Sequence, residues 1–523
     1  MFKERYLFRA WIASKIIGCI LLIPRAVLGQ VVPDITTNTT FTSSTGSCLP
    51  SCTIGGGINT PTNPNLFHSF DQFSVPTNGV VIFEHDPTIQ NIIARVTGGT
   101  GSIIDGLIRT SSTNNNANLF LINPEGITIG PRGGLDIGGS FVATTADAIQ
   151  FDDQGIFDTE NINNDPALLT VAPSAFLFTR DAPQPIVNQS LAPNPALPFL
   201  IDGLRLQEGK SLLLLGGGIL LERAPNSFNI NLPVRVPGGR IELGGVRSSS
   251  VVDLDIDGDN LSLSYEDNAL LADIIINDSD IDVSGFSNNR AGDIIINANS
   301  LSINESGLLS NTRSLENSGN ILIRADNSVE IQDGIISSTS RSSGTGGSIE
   351  VSARDIFLAN NTLSATARGV GDAGRIFLDA ETIFIDIGSN LLSAADSFGE
   401  EVGNVGEIKI QANMLSLNGG STISIVTAGE AVNMEASGVL AIEAQESVSL
   451  SGESSISSET FGRSNASDIA ISTTSLTIND SRISAAVNEE GRPDSDATGQ
   501  GGIIEIDTQL ISLENNAQLT SST

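Results

Sequence analysis

Four side chains in the first 90 residues have the types and spacing for metal or redox chemistry. Cys48 and Cys52 stand as C-x₃-C in GSCLPSCTIGGG, His68 lies in NLFHSFDQF, and His85 lies in FEHDP. A zinc site would need two soft ligands beyond the cysteines, and these two histidines are all the chain offers. In an oxidising compartment a local Cys48–Cys52 disulfide is the simpler pairing. His68, set among Phe67, Phe70 and Phe73, reads as a core residue, and His85 as the opening of a turn before Pro87. Further on, DLDIDGDN (253–260) places Asp253, Asp255, Asp257 and Gly258 like the start of a calcium loop. The twelfth place is Ser264 rather than Glu, and no helical pattern flanks it. Aspartates facing out between inward Val252, Leu254 and Ile256 account for that stretch. Asp152-Asp153 stands alone, and no G-x-S-x-G, H-E-x-x-H or P-loop occurs. The expectation is a chain with no catalytic residues, no bound metal and no cofactor.

The compartment follows from the first 29 residues. Lys3, Arg5, Arg9 and Lys15 precede the short apolar core IIGCILLI (16–23), and Val27 and Gly29 occupy the small-residue places before Gln30. This is the layout of a secretory signal peptide, too short in its apolar part to anchor in a bilayer. Acylation at Cys19 is the competing reading, and Lys15 interrupts the apolar core it would need. Removing residues 1–29 takes away five basic residues and one acidic residue. It leaves 21 Lys+Arg against 59 Asp+Glu, a charge of −38, with Lys210 and Lys409 as the remaining lysines. Such a field repels phosphate backbones, so nucleic acid is excluded as a partner. The apolar run SLLLLGGGILL (211–221) is broken by three glycines and falls short of a span. The mature chain is expected to be exported and soluble.

The 523 residues suggest three or four domains by length alone. Yet aromatics make up 5 % and Gly numbers 53, which suits short aliphatic strands closed by turns better than several thick cores. From residue 239 the chain is periodic. G-x-I-x-I-like segments open at Gly239, Gly292, Gly319, Gly347, Gly374, Gly406 and Gly502. Apolar-x-apolar triplets begin at Leu301, Val329, Ile356, Ile383, Leu415, Val448, Leu476 and Ile511. A third column, an aliphatic residue followed by Ser or Thr, takes in Leu309, Ile336, Leu363, Leu392, Ile423, Ile456, Ile483 and Leu519. Alternation of period two and the lack of any 3.6-residue pattern leave stacking of repeats as the way to bury each small apolar face. The fold expected is all-β, a right-handed parallel β-helix, with a β-sandwich as its rival. The final strand, AQLTSST, has nothing after it, which predicts that the repeat region is incomplete at its carboxy end. β-Helices also serve polysaccharide lyases and hydrolases, so a secreted glycan-active enzyme is the alternative. The Asn-Thr-Asp, Gly-His-Gly and Arg-Ile-Lys elements of polygalacturonases are missing, and no His follows residue 85.

The remaining signal lies in ANLFLINPEGITIG (117–130). Asn123, Pro124 and Gly126 fit the first, second and fourth places of a type I turn between two strands. Around it lie NLFHSFDQFSV, VVIFEHDPTIQNIIARVTGGTGSIIDGLI and GGSFVATTADAI. In that order these stretches resemble the secretion domain of filamentous-haemagglutinin-like exoproteins of two-partner secretion systems. IVNQS (186–190), LLLLGGGILLE (212–222) and PGGRIELGGV (237–246) are closest to the cyanobacterial branch. The family usually has Asn-Pro-Asn-Gly where this chain has Glu125. Asn63-Pro64-Asn65-Leu66 matches a second family motif but sits earlier than that order leads one to expect. The resemblance implies a signal peptide at 1–29, a capped secretion domain at 30–170 and a β-helix repeat region at 171–523. It implies recognition by the periplasmic domains of an outer-membrane β-barrel transporter, with Asn118, Asn123, Pro124, Gly126 and Gly139 carrying the secretion motif. The product would be released, or displayed on the outer cell surface as an adhesin with a cell-surface or glycan ligand.

Overall fold

Most repeats begin at a corner too tight for a side chain. A Cβ on Gly347 would lie 1.9 Å from the Gly319 carbonyl oxygen one coil earlier, and one on Gly319 would lie 1.9 Å from that of Gly292. Gly374 and Gly406 stack on their predecessors in the same way, at 2.0 and 1.9 Å. Inward serines bracket this corner. Ser338 Oγ donates to the Gly319 carbonyl at 2.7 Å and receives the Gly347 amide at 3.0 Å. Ser310 does the same between Gly292 and Gly319. The glycine column is thus a close-approach requirement, and the isoleucines after it are free to fill the interior.

The computed structural model describes residues 30–43, 48, 50–60, 63–111, 116–162, 166–193, 203–224, 232–285, 289–431, 438–461, 464–488 and 499–522. The leader at 1–29, with Cys19, and most of the loop at 488–500 lie outside them. Among the described residues the chain forms 43 strands and one 3-10 turn, Pro166–Leu168. They build a parallel β-solenoid of about 14 turns. Inward residues stack in register from coil to coil. One column runs Ile241, Ile294, Ile321, Ile349, Ile376, Ile408, Leu440, Ile469, Ile504. It includes two coils that the G-x-I-x-I pattern passes over, one with Leu440 in the isoleucine place and one with Ser467 in the glycine place. The second column, Leu301 to Ile511, is as the sequence spacing predicts.

The third column needs a correction at two coils. Leu308, not Leu309, stacks on Ile336, and Leu391, not Leu392, stacks on Leu363 and Ile423. Leu308 and Leu391 are fully buried. Both sites are Leu-Leu pairs followed by Ser, and in a strand a shift of one residue exchanges the two faces. The aliphatic-then-Ser rule therefore selects the wrong leucine.

The amino end is built differently. Val31–Pro33 pairs antiparallel with Asn65–Phe73, and Thr39–Thr42 pairs antiparallel with Ser51–Gly56, so the stack starts under an antiparallel cap. Coils then rise through Asn91–Val96, Asn118–Ile122, Phe141–Thr144, Ser211–Gly216 and Arg240–Gly245, all parallel. Their strands read NLFLI, FVAT and SLLLLG rather than alternating, as strands buried on both faces do. The cover on the second face is an antiparallel sheet of Ala148–Phe151, Gly155–Asp158, Ala175–Phe178, Ser250–Asp257 and Asn260–Tyr265. Phe67, Ile93, Phe120, Val142 and Leu213 point outward from the solenoid yet are fully buried beneath it. Phe67 meets Phe151 and Phe157 edge-on, with ring centroids at 5.5 and 5.0 Å. This lateral sheet and its core are confined to the amino half; beyond it the strands alternate buried and part-exposed.

Candidate functional site

Asn123–Gly126 joins strand Asn118–Ile122 to strand Ile127–Ile129. The Gly126 amide donates to the Asn123 carbonyl at 3.1 Å, closing a four-residue turn. Asn123 Oδ1 receives the Glu125 amide at 3.0 Å, so the asparagine also caps the turn it starts. Its Nδ2 donates to the Thr100 carbonyl and Ser102 Oγ, both at 2.9 Å, which fastens the turn to the preceding coil. Gly126 has φ +99°, a left-handed conformation that favours glycine, and its α-carbon faces Gln184 and Pro185 of the next coil. Asn123, Pro124 and Gly126 are all buried; Glu125 is the part-exposed member.

Glu125 stands where the family usually has Asn, and it is not idle. Its Oε1 lies 2.6 Å from Arg180 Nη1. The same guanidinium reaches Asp147 Oδ1 through Nε at 2.8 Å and Glu160 Oε1 through Nη2 at 2.9 Å. Asp147 is buried, and its other oxygen accepts from the Thr179 amide and hydroxyl at 2.7 and 2.8 Å.

Asn118 opens the strand that leads into the turn, and Gly139 lies on the neighbouring coil beside the residues just before Asn118. A Cβ on Gly139 would lie 2.4 Å from the Ala117 carbonyl oxygen, so glycine lets the next coil pass close to the start of Asn118–Ile122. Asn118 itself is a rung in a buried polar ladder. Asn91 Nδ2 donates to Asn65 Oδ1 at 2.9 Å, and Asn118 Nδ2 donates to Asn91 Oδ1 at 3.1 Å. Asn118 Oδ1 then accepts the Ser140 amide at 2.9 Å, and Ser140 Oγ accepts the Ser211 amide at 2.9 Å. At the lower end Asn63 and Asn65 donate to the Leu169 carbonyl, and Asn65 also to that of Val171. At the upper end the hydroxyls of Ser140 and Ser211 both donate to the Asp259 carbonyl. The ladder thus ties both segments of the lateral sheet to the coils. Asn63-Pro64-Asn65-Leu66, discounted by its early position, opens the first coil and forms the ladder's foot. The 26- and 27-residue spacing of Asn65, Asn91 and Asn118, each heading an apolar strand, is the signal that would have found it.

Arg95 carries no such signal. It is fully buried, donates to Ser69 Oγ at 2.8 Å, to Thr36 Oγ1 at 3.1 Å and to the Asp158 carbonyl, and lies 4.1 Å from the Phe157 ring centroid. Burial pushes its guanidinium down to about 10. Asp34 closes this network through Ser69, Thr36 and Thr97, joining cap, coil and lateral sheet.

Cys48 and Cys52 are joined in a disulfide with their Cα atoms 4.8 Å apart. His68 is fully buried between Phe70 and Phe83, with Nδ1 3.1 Å from Thr39 Oγ1; burial lowers it to about 3, so it is neutral. His85 lies at a turn with Nδ1 3.1 Å from the Asp86 carbonyl. Residues 253–260 form an antiparallel hairpin turning at Gly258, with Asp253 and Asp255 facing out and Lys210 Nζ 2.8 Å from Asp259.

The model of the TPS secretion domain matches residues 29–296, just over half of the chain. The chain belongs to the two-partner secretion family. The match extends past residue 170 and takes in the whole lateral sheet. Among solved structures the HMW1 secretion domain from Haemophilus influenzae is similar, at 18 % identity over 81 % of this chain and 99 % of that one, with a TM-score of 0.54. The filamentous hemagglutinin secretion domain aligns at 12 % identity over 68 % and 97 % of the two chains, with a TM-score of 0.30. No curated protein sequence matches. As a TPS exoprotein the chain is exported across the outer membrane, to a secreted or surface location, by a partner transporter. The family points to a non-enzymatic exoprotein.

Proposed function

We propose that the partner's periplasmic domains read the stretch around Asn118, Asn123, Pro124, Gly126 and Gly139 before it folds. The supporting observation is burial: in the finished solenoid Asn123, Pro124 and Gly126 are enclosed, with the Asn123 amide committed to Thr100 and Ser102. A motif hidden by folding is accessible to a partner only on the unfolded chain. Recognition then ends as the coil closes, which suits a slow, non-local parallel fold that is safest when it grows outside the periplasm. Residues 1–29 serve as the leader to that compartment. The emerged rod acts as a surface adhesin or display element with a cell-surface or glycan ligand, and the wording at 186–190, 212–222 and 237–246 supports the cyanobacterial branch.

A peptide of residues 117–130 should bind the isolated periplasmic domains of the partner, the same peptide with Asn123→Val should not, and the folded exported chain should bind weakly. Equal binding by both peptides, or tight binding by the folded chain, would overturn recognition before folding.

A further inference from the structure

The turn is fastened on two sides by residues far apart in the chain. Asn123 reaches back to Thr100 and Ser102, 23 and 21 residues earlier. Glu125 reaches forward to Arg180, 55 residues later in the chain. Between them lie Asp147 and Glu160, so Arg180 stands among three carboxylates that come from three separate segments. Two of its guanidinium nitrogens donate to Glu125 and Glu160, and the third lies 2.8 Å from Asp147 as an ion pair, a spread of contacts that a lysine's single ammonium does not match. Without that cation, Glu125, Asp147 and Glu160 would face one another, with Asp147 buried and held in place by Thr179. The turn's other side chains are enclosed, so Glu125 is the handle by which its closure can be held or lost.

We propose that Arg180 is a positioning residue for the export turn: it clasps Glu125 once residues 147–180 have folded across the coil, and so withdraws the turn from the transporter. This rests on the reading that the transporter recognises 117–130 while unfolded. The clasp explains how a charged residue serves at a place where the family usually has a neutral one. It also orders events along the chain, with the Asn123 contacts forming first and the Arg180 cluster sealing the turn later.

The test uses the full chain, exported and purified, and separates the clasp from the reading. In hydrogen exchange the amides of Glu125 and Gly126 should open about tenfold more readily in Arg180→Gln, as coupled charge networks do when one member is removed. Arg180→Lys should recover part of the protection. In the double variant Glu125→Asn/Arg180→Gln, compared with Glu125→Asn alone, the loss should shrink to about threefold or less, because no carboxylate is left in the turn to be repelled. Unchanged exchange in Arg180→Gln would show that Arg180 does not hold the turn, and an equal loss when Glu125→Asn is already present would show that it acts by a route other than Glu125; either would overturn the clasp. In cells carrying the partner, Arg180→Gln should raise the fraction of chain retained on the transporter, and Asn123→Val should lower it. Loss of the exchange effect defeats the clasp alone. Asn123→Val retained like the wild type, with the exchange effect intact, would instead defeat the reading beneath it, and with it the step of withdrawal.

Discussion

Asn118 donates its side-chain amide to Oδ1 of Asn91, one coil earlier, at 3.1 Å, and receives the Ser140 amide from the coil after it at 2.9 Å. One side chain therefore satisfies buried polar groups on both sides of its own strand. Replacing it with Leu strands the Ser140 amide and an Asn91 oxygen in the interior, at about 2–4 kcal/mol for the two together. Asn118→Asp should not rescue the fold, because it keeps the acceptor for Ser140 only by burying a carboxylate against Asn91 Oδ1. Heat unfolding and limited proteolysis of the exported chain would check this, with cleavage between residues 166 and 171 as the local reporter. Equal stability of Asn118→Leu and wild type would mean that the ladder contributes nothing.

The glycine column makes a sharper claim. A methyl at Gly347 would sit 1.9 Å from the Gly319 oxygen and 2.6 Å from Ser338 Oγ. At Gly388 the backbone is left-handed, φ +71°, but nothing lies within 4 Å. Gly347→Ala should cost about 3 kcal/mol or more, since two coils must part and the serine bracket must break. Gly388→Ala should cost about 1–2 kcal/mol of backbone strain. Urea unfolding of the two variants ranks them, and the reverse order would show that the column is not a close-approach requirement.

What the sequence discloses depends on how far apart the interacting residues lie. From Ile294 onward the first inward column repeats every 27–35 residues, so its register is readable. The reading misses the coils of Leu440 and Ser467 and picks the wrong face at Leu308-Leu309 and Leu391-Leu392, where the paired leucines leave the face ambiguous. The lateral sheet was out of reach. Its strands 148–178 and 250–265 are separated by some 70 residues, and Phe176 pairs with Val252 for no reason visible in either segment. Unalternating strands such as SLLLLG do announce a second buried face, but not what covers it. The motif residues at 123–126 were legible as a turn; their burial, and the ion cluster at Arg180, depend on contacts reaching 55 residues ahead.

Two phenylalanines test the lateral core against the bare solenoid. Phe157 is fully buried, packs on Phe67 and carries the Arg95 guanidinium on its face. Phe384 is 42 % exposed and stacks on Phe357 at 5.4 Å on the open face of later coils. Phe157→Ala should cost about 3–5 kcal/mol, and Phe384→Ala about 0.5–1.5 kcal/mol. Binding of a hydrophobic dye should rise for the first variant and not for the second. Matching losses would place the lateral sheet outside the stabilising core.

His68 gives the fold a pH dependence whose sign can be worked out. Burial among aromatic rings lowers its pKa from 6.5 to about 3. Between those values the unfolded chain binds a proton that the folded chain does not. Stability is therefore complete above about pH 6.5 and falls as pH drops through the window, by about 1.4 kcal/mol per unit. From pH 7 to pH 5 the loss from this one group is about 2 kcal/mol. The carboxylates are the same in both chains, so the difference between the two isolates His68. His68→Phe removes the titration and keeps a ring between Phe70 and Phe83, while Thr39 Oγ1 retains its contact to Thr37 Oγ1 at 2.8 Å. Unfolding midpoints of both chains at pH 7 and pH 5 decide it: wild type should lose about 2 kcal/mol more than the variant on acidification. An equal drop in both would mean that His68 takes up its proton without unfolding the cap, and that the acid sensitivity lies elsewhere.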